Sequence, residues 1–111
     1  MTVGQVIATL LIVAQMYLVS PTQFDCMVYK ESSYNVEAVN GIHRGLGQYH
    51  PDSFDWFVAM ALDDPAFLHA DVVRANPDPR DPIVSLLIMA WCLKNGYGEH
   101  WSTYEMCKEG R

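Results

Sequence analysis

The sequence predicts a single all-α domain of five or six short helices, and three observations predict it. Apolar residues recur at helical spacing in several separate windows, and no run keeps the two-residue alternation of a strand. Prolines stand at helix-start positions, at Pro21, Pro51, Pro65 and Pro82, where a missing N–H costs nothing. The 111 residues make one domain, spanning 1–111. A chain of this length buries roughly 65% of the surface its unfolded form exposes, enough for one core.

The first helix is expected over Val3 to Val19. Val3, Val6, Ile7, Leu10, Val13, Ala14 and Tyr17 lie on one face, as in a core helix. The stretch is apolar enough to raise a signal peptide or a weak, releasable membrane anchor. It has no basic leader, however, it carries Gln5, Thr9 and Gln15, and it is near the lower length limit for crossing a bilayer. The second helix follows from Pro21 to Glu31 or Ser32. Ser20 is its N-cap and Gln23 the reciprocal capping partner. Ser32 to His50 reads as an ordered loop rich in Ser, Asn and Gly. Pro51-Asp52-Ser53 starts a third helix, with Phe54, Phe57, Val58 and Leu62 among its apolar residues. Asp64-Pro65 starts a short fourth, with Phe67, Leu68 and Val72 inward. After a Pro-rich turn, Asp81 caps the fifth helix and Asn95-Gly96 stops it. Ile83, Leu86, Leu87, Ala90, Trp91 and Lys94 form its periodic face. A last short helix is expected from His100 to Cys107.

Net charge is −6, and no Lys/Arg cluster exists to track a phosphate backbone, which argues against a nucleic-acid partner. His43, His50, His69 and His100 are scattered without metal-ligand spacing, so neither a metal nor another cofactor is expected. Three cysteines, Cys26, Cys92 and Cys107, allow one bridge at most. Cys26 with Cys107 is the candidate, and Cys92, on an apolar helix, is a buried thiol.

The stretch that carries chemistry is Tyr29 to Gln48. Glu31 stands at the end of the second helix, and Glu31-Ser32-Ser33-Tyr34-Asn35-Val36 is followed by Glu37-Ala38-Val39-Asn40 and by Gly45-Leu46-Gly47-Gln48. In that order and spacing the segments resemble the lysozyme-like superfamily, in its soluble lytic transglycosylase and goose-type lysozyme branch. There a helix ends in Glu-Ser-x-aromatic-Asn-Pro and a Gly-Leu-Met-Gln segment follows. Ala14 to Pro21 is similar to the helix and turn that precede the catalytic helix. The likeness covers about Val13 to Phe57. Gly47 stands where the family has Met and Val36 where it has Pro, and the family's later Ala-Tyr-Asn segment has no clear match; Tyr97 and Tyr104 are the candidates to replace its tyrosine.

The resemblance implies a compact lysozyme-like domain, of the small phage type, that cleaves the β-1,4 bond between N-acetylmuramic acid and N-acetylglucosamine. Glu31 would serve as acid and then base, leaving 1,6-anhydro ends. A hydrolytic muramidase on the same fold is the near alternative, and a non-catalytic glycan-binding or virion protein the distant one. The partner expected is the peptidoglycan glycan strand, met by a monomer in the bacterial periplasm or cell wall. The source would be a virion or a phage-infected host. Chemistry suits the assignment, because an acid must stay protonated near neutral pH, and burial against Met27, Val28 and Leu46 at a helix C-terminus raises a carboxyl pKa. Glu37, the other carboxylate of the loop, reads as solvated. Gln48 is the expected partner of a sugar amide or hydroxyl, with Ser32 and Asn40 as further polar contacts. Tyr34, Tyr49, Tyr97, Trp101 and Tyr104 are the expected sugar-stacking rings.

Overall fold

Local signals at helix starts carry directly into the fold. The computed structural model describes residues 1–108. Among them are six helices: α1 (Val3–Tyr17), α2 (Pro21–Ser32), α3 (Pro51–Leu62), α4 (Ala70–Ala75), α5 (Pro82–Lys94) and α6 (Thr103–Cys107). A 3₁₀ turn at Gly98–His100 precedes α6. The domain is all-α, as the periodicity predicts. Ser20, His50 and Asp81 each accept a hydrogen bond at the start of α2, α3 and α5, with proline just inside each helix. Thr2 and Gln5 form a reciprocal capping box on α1.

α5 is the central element. Every residue from Val84 to Cys92 is buried, as expected of a helix that is apolar all round. It packs against α1, α3 and α4. Complete burial of a side chain such as Leu86 or Ile88 stabilises the fold by about 1.5–3 kcal/mol. α1 contributes Val6, Leu10, Val13, Ala14 and Tyr17 to the same core, so residues 3–17 are a core helix. Among the described residues, no helix is long and apolar enough to cross a membrane.

Several expectations need correction. The loop after α2 holds a two-residue antiparallel hairpin, β1 (Val39–Asn40) against β2 (His43–Arg44), turned at Gly41 with φ +63°. Strands this short leave no period to read. The Asp64-Pro65 segment is a turn and not a helix start. Asp64 spends one carboxylate oxygen on the Ala66 N–H and the other on the Trp91 indole N–H. α4 therefore begins only at Ala70 and presents Val73 inward, leaving Leu68 and Val72 exposed. Lys94, at the end of α5, is exposed as well. Gln23 does not close a capping box on α2. Its amide donates to the Tyr104 carbonyl at 3.4 Å, linking α2 to α6. The single expected C-terminal helix is divided at Trp101 and Ser102 into the 3₁₀ turn and α6.

α2 and α6 are also joined covalently. Cys26 and Cys107 form a disulfide with a Cα–Cα distance of 5.6 Å, closing 81 residues of sequence. Cys92 is a buried thiol whose pKa is pushed far up by burial.

Candidate active site

Glu31 lies in the last turn of α2, half-buried, with Met27 and Val28 one turn before it on the same helical face. Both of these are fully buried. Ser33 at φ +52° and Tyr34 at φ +61° reverse the chain immediately afterwards. One carboxylate oxygen, Oε2, accepts a hydrogen bond from the Thr103 hydroxyl of α6 at 2.8 Å. Burial raises the Glu31 pKa, opposed by the Thr103 bond and by the charge of His43 on β2. The balance is upward, the direction a proton donor needs. Among the described residues, Thr103 and His43 are the side chains that shift it, and neither is a carboxylate. Glu37 is exposed in the turn, where its backbone N–H donates to the Asn35 side chain.

Cys26 and Glu31 sit about 140° apart around α2, a separation that predicts opposite outlooks. Yet α6 reaches both, because Cys107 meets Cys26 while Thr103, one turn earlier, meets Glu31. Thr103 and His43 are the two site residues that sequence reasoning missed. A signal for Thr103 was present: it stands one turn before a cysteine that pairs one and a half turns before the acid.

The Gly45-Leu46-Gly47-Gln48 segment folds into a buried tight loop. Gly45 has φ +76°, and a Cβ there would stand 2.2 Å from the Pro79 carbonyl oxygen, so this position requires glycine. Gly47 is held on both sides: its N–H donates to the Ser85 hydroxyl, and its carbonyl accepts from the Trp101 indole N–H at 2.8 Å. A Cβ on Gly47 would lie 2.5 Å from the Tyr49 ring, so that ring fills the space a side chain at 47 would take. Tyr49 is itself pinned, because its hydroxyl donates to the Ser85 carbonyl. Gly47→Met is therefore expected to destabilise the domain by about 2–3 kcal/mol through overpacking. Urea unfolding measures it, and an unchanged midpoint would contradict the crowding.

The other sequence-predicted site residues divide by what they touch. The Gln48 amide donates to the Ala38 and Gly45 carbonyls and braces the loop. The Ser32 hydroxyl is turned back onto the Val28 carbonyl. Asn40 is exposed at the hairpin. Tyr34 is directed along α2, its hydroxyl donating to Asp25 and its ring against Tyr29. Tyr97 stacks on Trp91 with centroids 5.7 Å apart. Tyr104 is half-buried beside Gly98 and under the Lys108 ammonium. Tyr49 and Trp101 are almost wholly buried, 5.7 Å apart edge to face, and line the hollow described next.

That hollow, of about 120 Å³, is bounded by His43, Gln48, Tyr49, His50, Ser53, Phe57, His100 and Trp101. Glu31 is not among its lining residues; the links to the acid are indirect, through His43, which acts electrostatically on Glu31, and through Trp101, two residues before Thr103. Three of the four scattered histidines thus converge here. Among the described residues, no group of three or more His, Cys, Asp or Glu side chains is placed to hold a metal ion. A larger hollow, of about 470 Å³, is lined by Glu37, Arg44 and residues of the 76–81 turn, and does not include Glu31.

Compared with family models, curated proteins and solved structures, the chain matches none.

The chemical capacity of the site therefore rests on its own geometry. It offers one protonatable carboxyl with a hydroxyl donor on it and an imidazole acting on it electrostatically, and that imidazole also lines an aromatic-walled hollow.

Proposed function

We propose that this domain is a peptidoglycan lytic transglycosylase, in which Glu31 acts first as general acid and then as general base. The observation that carries the reading is the setting of Glu31. It is a half-buried carboxyl with a raised pKa at a helix end, held by Thr103, with no carboxylate among the described residues that shift it. The resemblance of Glu31–Gln48 to the soluble lytic transglycosylase and goose-type lysozyme branch supplies the substrate class.

In this mechanism protonated Glu31 delivers its proton to the glycosidic oxygen as the bond to C1 of N-acetylmuramic acid breaks. The 2-acetamido oxygen of the same sugar stabilises the cationic carbon. Glu31, now a carboxylate, takes the proton from the C6 hydroxyl as that oxygen closes on C1. The acid is restored, a 1,6-anhydro sugar is formed, and no water is consumed. A two-carboxylate glycosidase would need a second acid beside the first. The disulfide between Cys26 and Cys107 agrees with a working place outside a reducing cytosol, such as the periplasm or cell wall.

A second reading, a glycan-binding protein without turnover, is favoured by Gly47 in the place of the family's Met and by the unmatched Ala-Tyr-Asn segment. Mass analysis of fragments from purified peptidoglycan separates the readings. Anhydro ends, one water lighter than reducing ends, are the expected result. Reducing ends alone would assign a hydrolytic muramidase, and intact strands would assign the binding protein.

A further inference from the structure

We propose that the hollow lined by His43, His50 and His100 receives a carboxylate from the lactyl-peptide substituent of the glycan. The protein would then select an anionic muramyl chain over a neutral one. The inference rests on the peptidoglycan reading above and names which part of that substrate the site holds.

The chain is acidic overall, with 13 Asp and Glu against 7 Lys and Arg. A polymer bearing carboxylates would be repelled from most of such a surface. Among the described residues, the hollow is lined by three imidazoles and by no Asp or Glu. Phe57 and Trp101 form its apolar wall, which strengthens any charge interaction made inside. Its volume, about 120 Å³, accommodates a carboxylate with its adjoining carbon atoms.

The imidazoles differ in what they can offer. Nδ1 of His43 lies 3.3 Å from the Asn40 carbonyl, so it carries the proton and leaves Nε2 for a ligand. Nδ1 of His50 accepts from the Asp52 N–H as the cap of α3 and is committed in that form. His100 packs edge-on to Phe57 with centroids 5.0 Å apart and also lies against Trp56 and Tyr97. His43 and His50 are 6.2 Å apart, near enough for one carboxylate to approach both.

Other charged groups nearby do not replace the histidines. Arg44 is turned onto the Gly41 and His43 carbonyls. Asp52 and Glu99 flank His50 and His100 in sequence and are exposed. Tyr49 is held neutral by burial. His43 acts electrostatically on the Glu31 carboxyl.

A protonated imidazole attracts an anion and a neutral one does not, so affinity for the anionic ligand must rise as pH falls through the imidazole range. The test uses the wild-type protein and an N-acetylmuramoyl dipeptide with a free carboxyl, which contains no bond for the protein to cleave. Its methyl ester is the neutral control. Calorimetry or NMR titration is expected to show the acid binding about tenfold more tightly at pH 5.5 than at pH 8, with the ester weak and constant. The double substitution of His43→Gln and His100→Gln is expected to remove the pH dependence. NMR of that variant verifies its fold. Equal binding of acid and ester at both pH values, or binding of neither at millimolar concentration, would overturn the proposal. Failure of the transglycosylase reading is seen separately, as absence of anhydro products.

Discussion

Glu31→Gln is expected to reduce lysis of purified cell walls by at least about 10³-fold while leaving the domain no less stable. The substitution preserves shape, and the amide oxygen still accepts from the Thr103 hydroxyl, but an amide cannot deliver the proton. Folding responds oppositely. Burial raises the Glu31 pKa in the folded state, so the folded protein binds the proton more tightly than the unfolded chain does. The stability linked to that proton is fully present below the unfolded pKa and is lost as pH rises through the folded one. Above the folded pKa a partly buried charge has to be tolerated, and Gln removes it. Activity and thermal midpoint should therefore separate, one falling and the other holding or rising.

The pH profile extends the same expectation. The first step needs protonated Glu31, so activity declines as pH rises through its pKa. The Thr103 bond favours the charged form, so Thr103→Val should move that alkaline limb upward. A merely structural Thr103 would lower activity equally at every pH. Lysis retained by Glu31→Gln would refute the acid assignment.

What the sequence disclosed here was what is local. Caps at Ser20 and Asp81 lie within three residues of the N–H groups they satisfy, and periodicity exposed the buried face of α1. The spacing from Glu31 to Gln48 pointed to an acid before a tight loop. What stayed hidden depends on distant segments. Leu68 and Val72 have helical spacing to Phe67, but Asp64 is drawn to Trp91 and delays α4, which turns both outward. Tyr49 and Trp101 read as ring-stacking residues; their burial follows from Ser85 and Gly47, 36 and 54 residues away. Gly47 read as a departure from the family pattern. Its reason is the Tyr49 ring, already occupying that volume. The convergence of His43, His50 and His100 is likewise tertiary, since their spacing in sequence follows no helical or strand period.

Removing the Cys26–Cys107 bridge is expected to cost the domain about 4.5 kcal/mol, by the loop-closure entropy of an 81-residue separation. Domains of this size have about 5–15 kcal/mol in total, so the loss is a large fraction. The thermal midpoint should fall by about 20 °C in Cys26→Ser with Cys107→Ser, read by calorimetry or circular dichroism. Activity should fall earlier in a temperature series than the global transition. α6 has only five helical residues, too few to hold itself, and Thr103 sits one turn from Cys107. Once the bridge is gone, the hydroxyl on Glu31 depends on this short helix and on the Gln23 contact to Tyr104. A thiol count checks the premise: unfolded, unreduced protein should take up one equivalent of maleimide, at Cys92, and reduced protein three. An unchanged midpoint in the double serine variant would show that α2 and α6 are held by packing alone. The Thr103 contact would then have to survive without the covalent tie, and the pH profile of that variant would match the wild type.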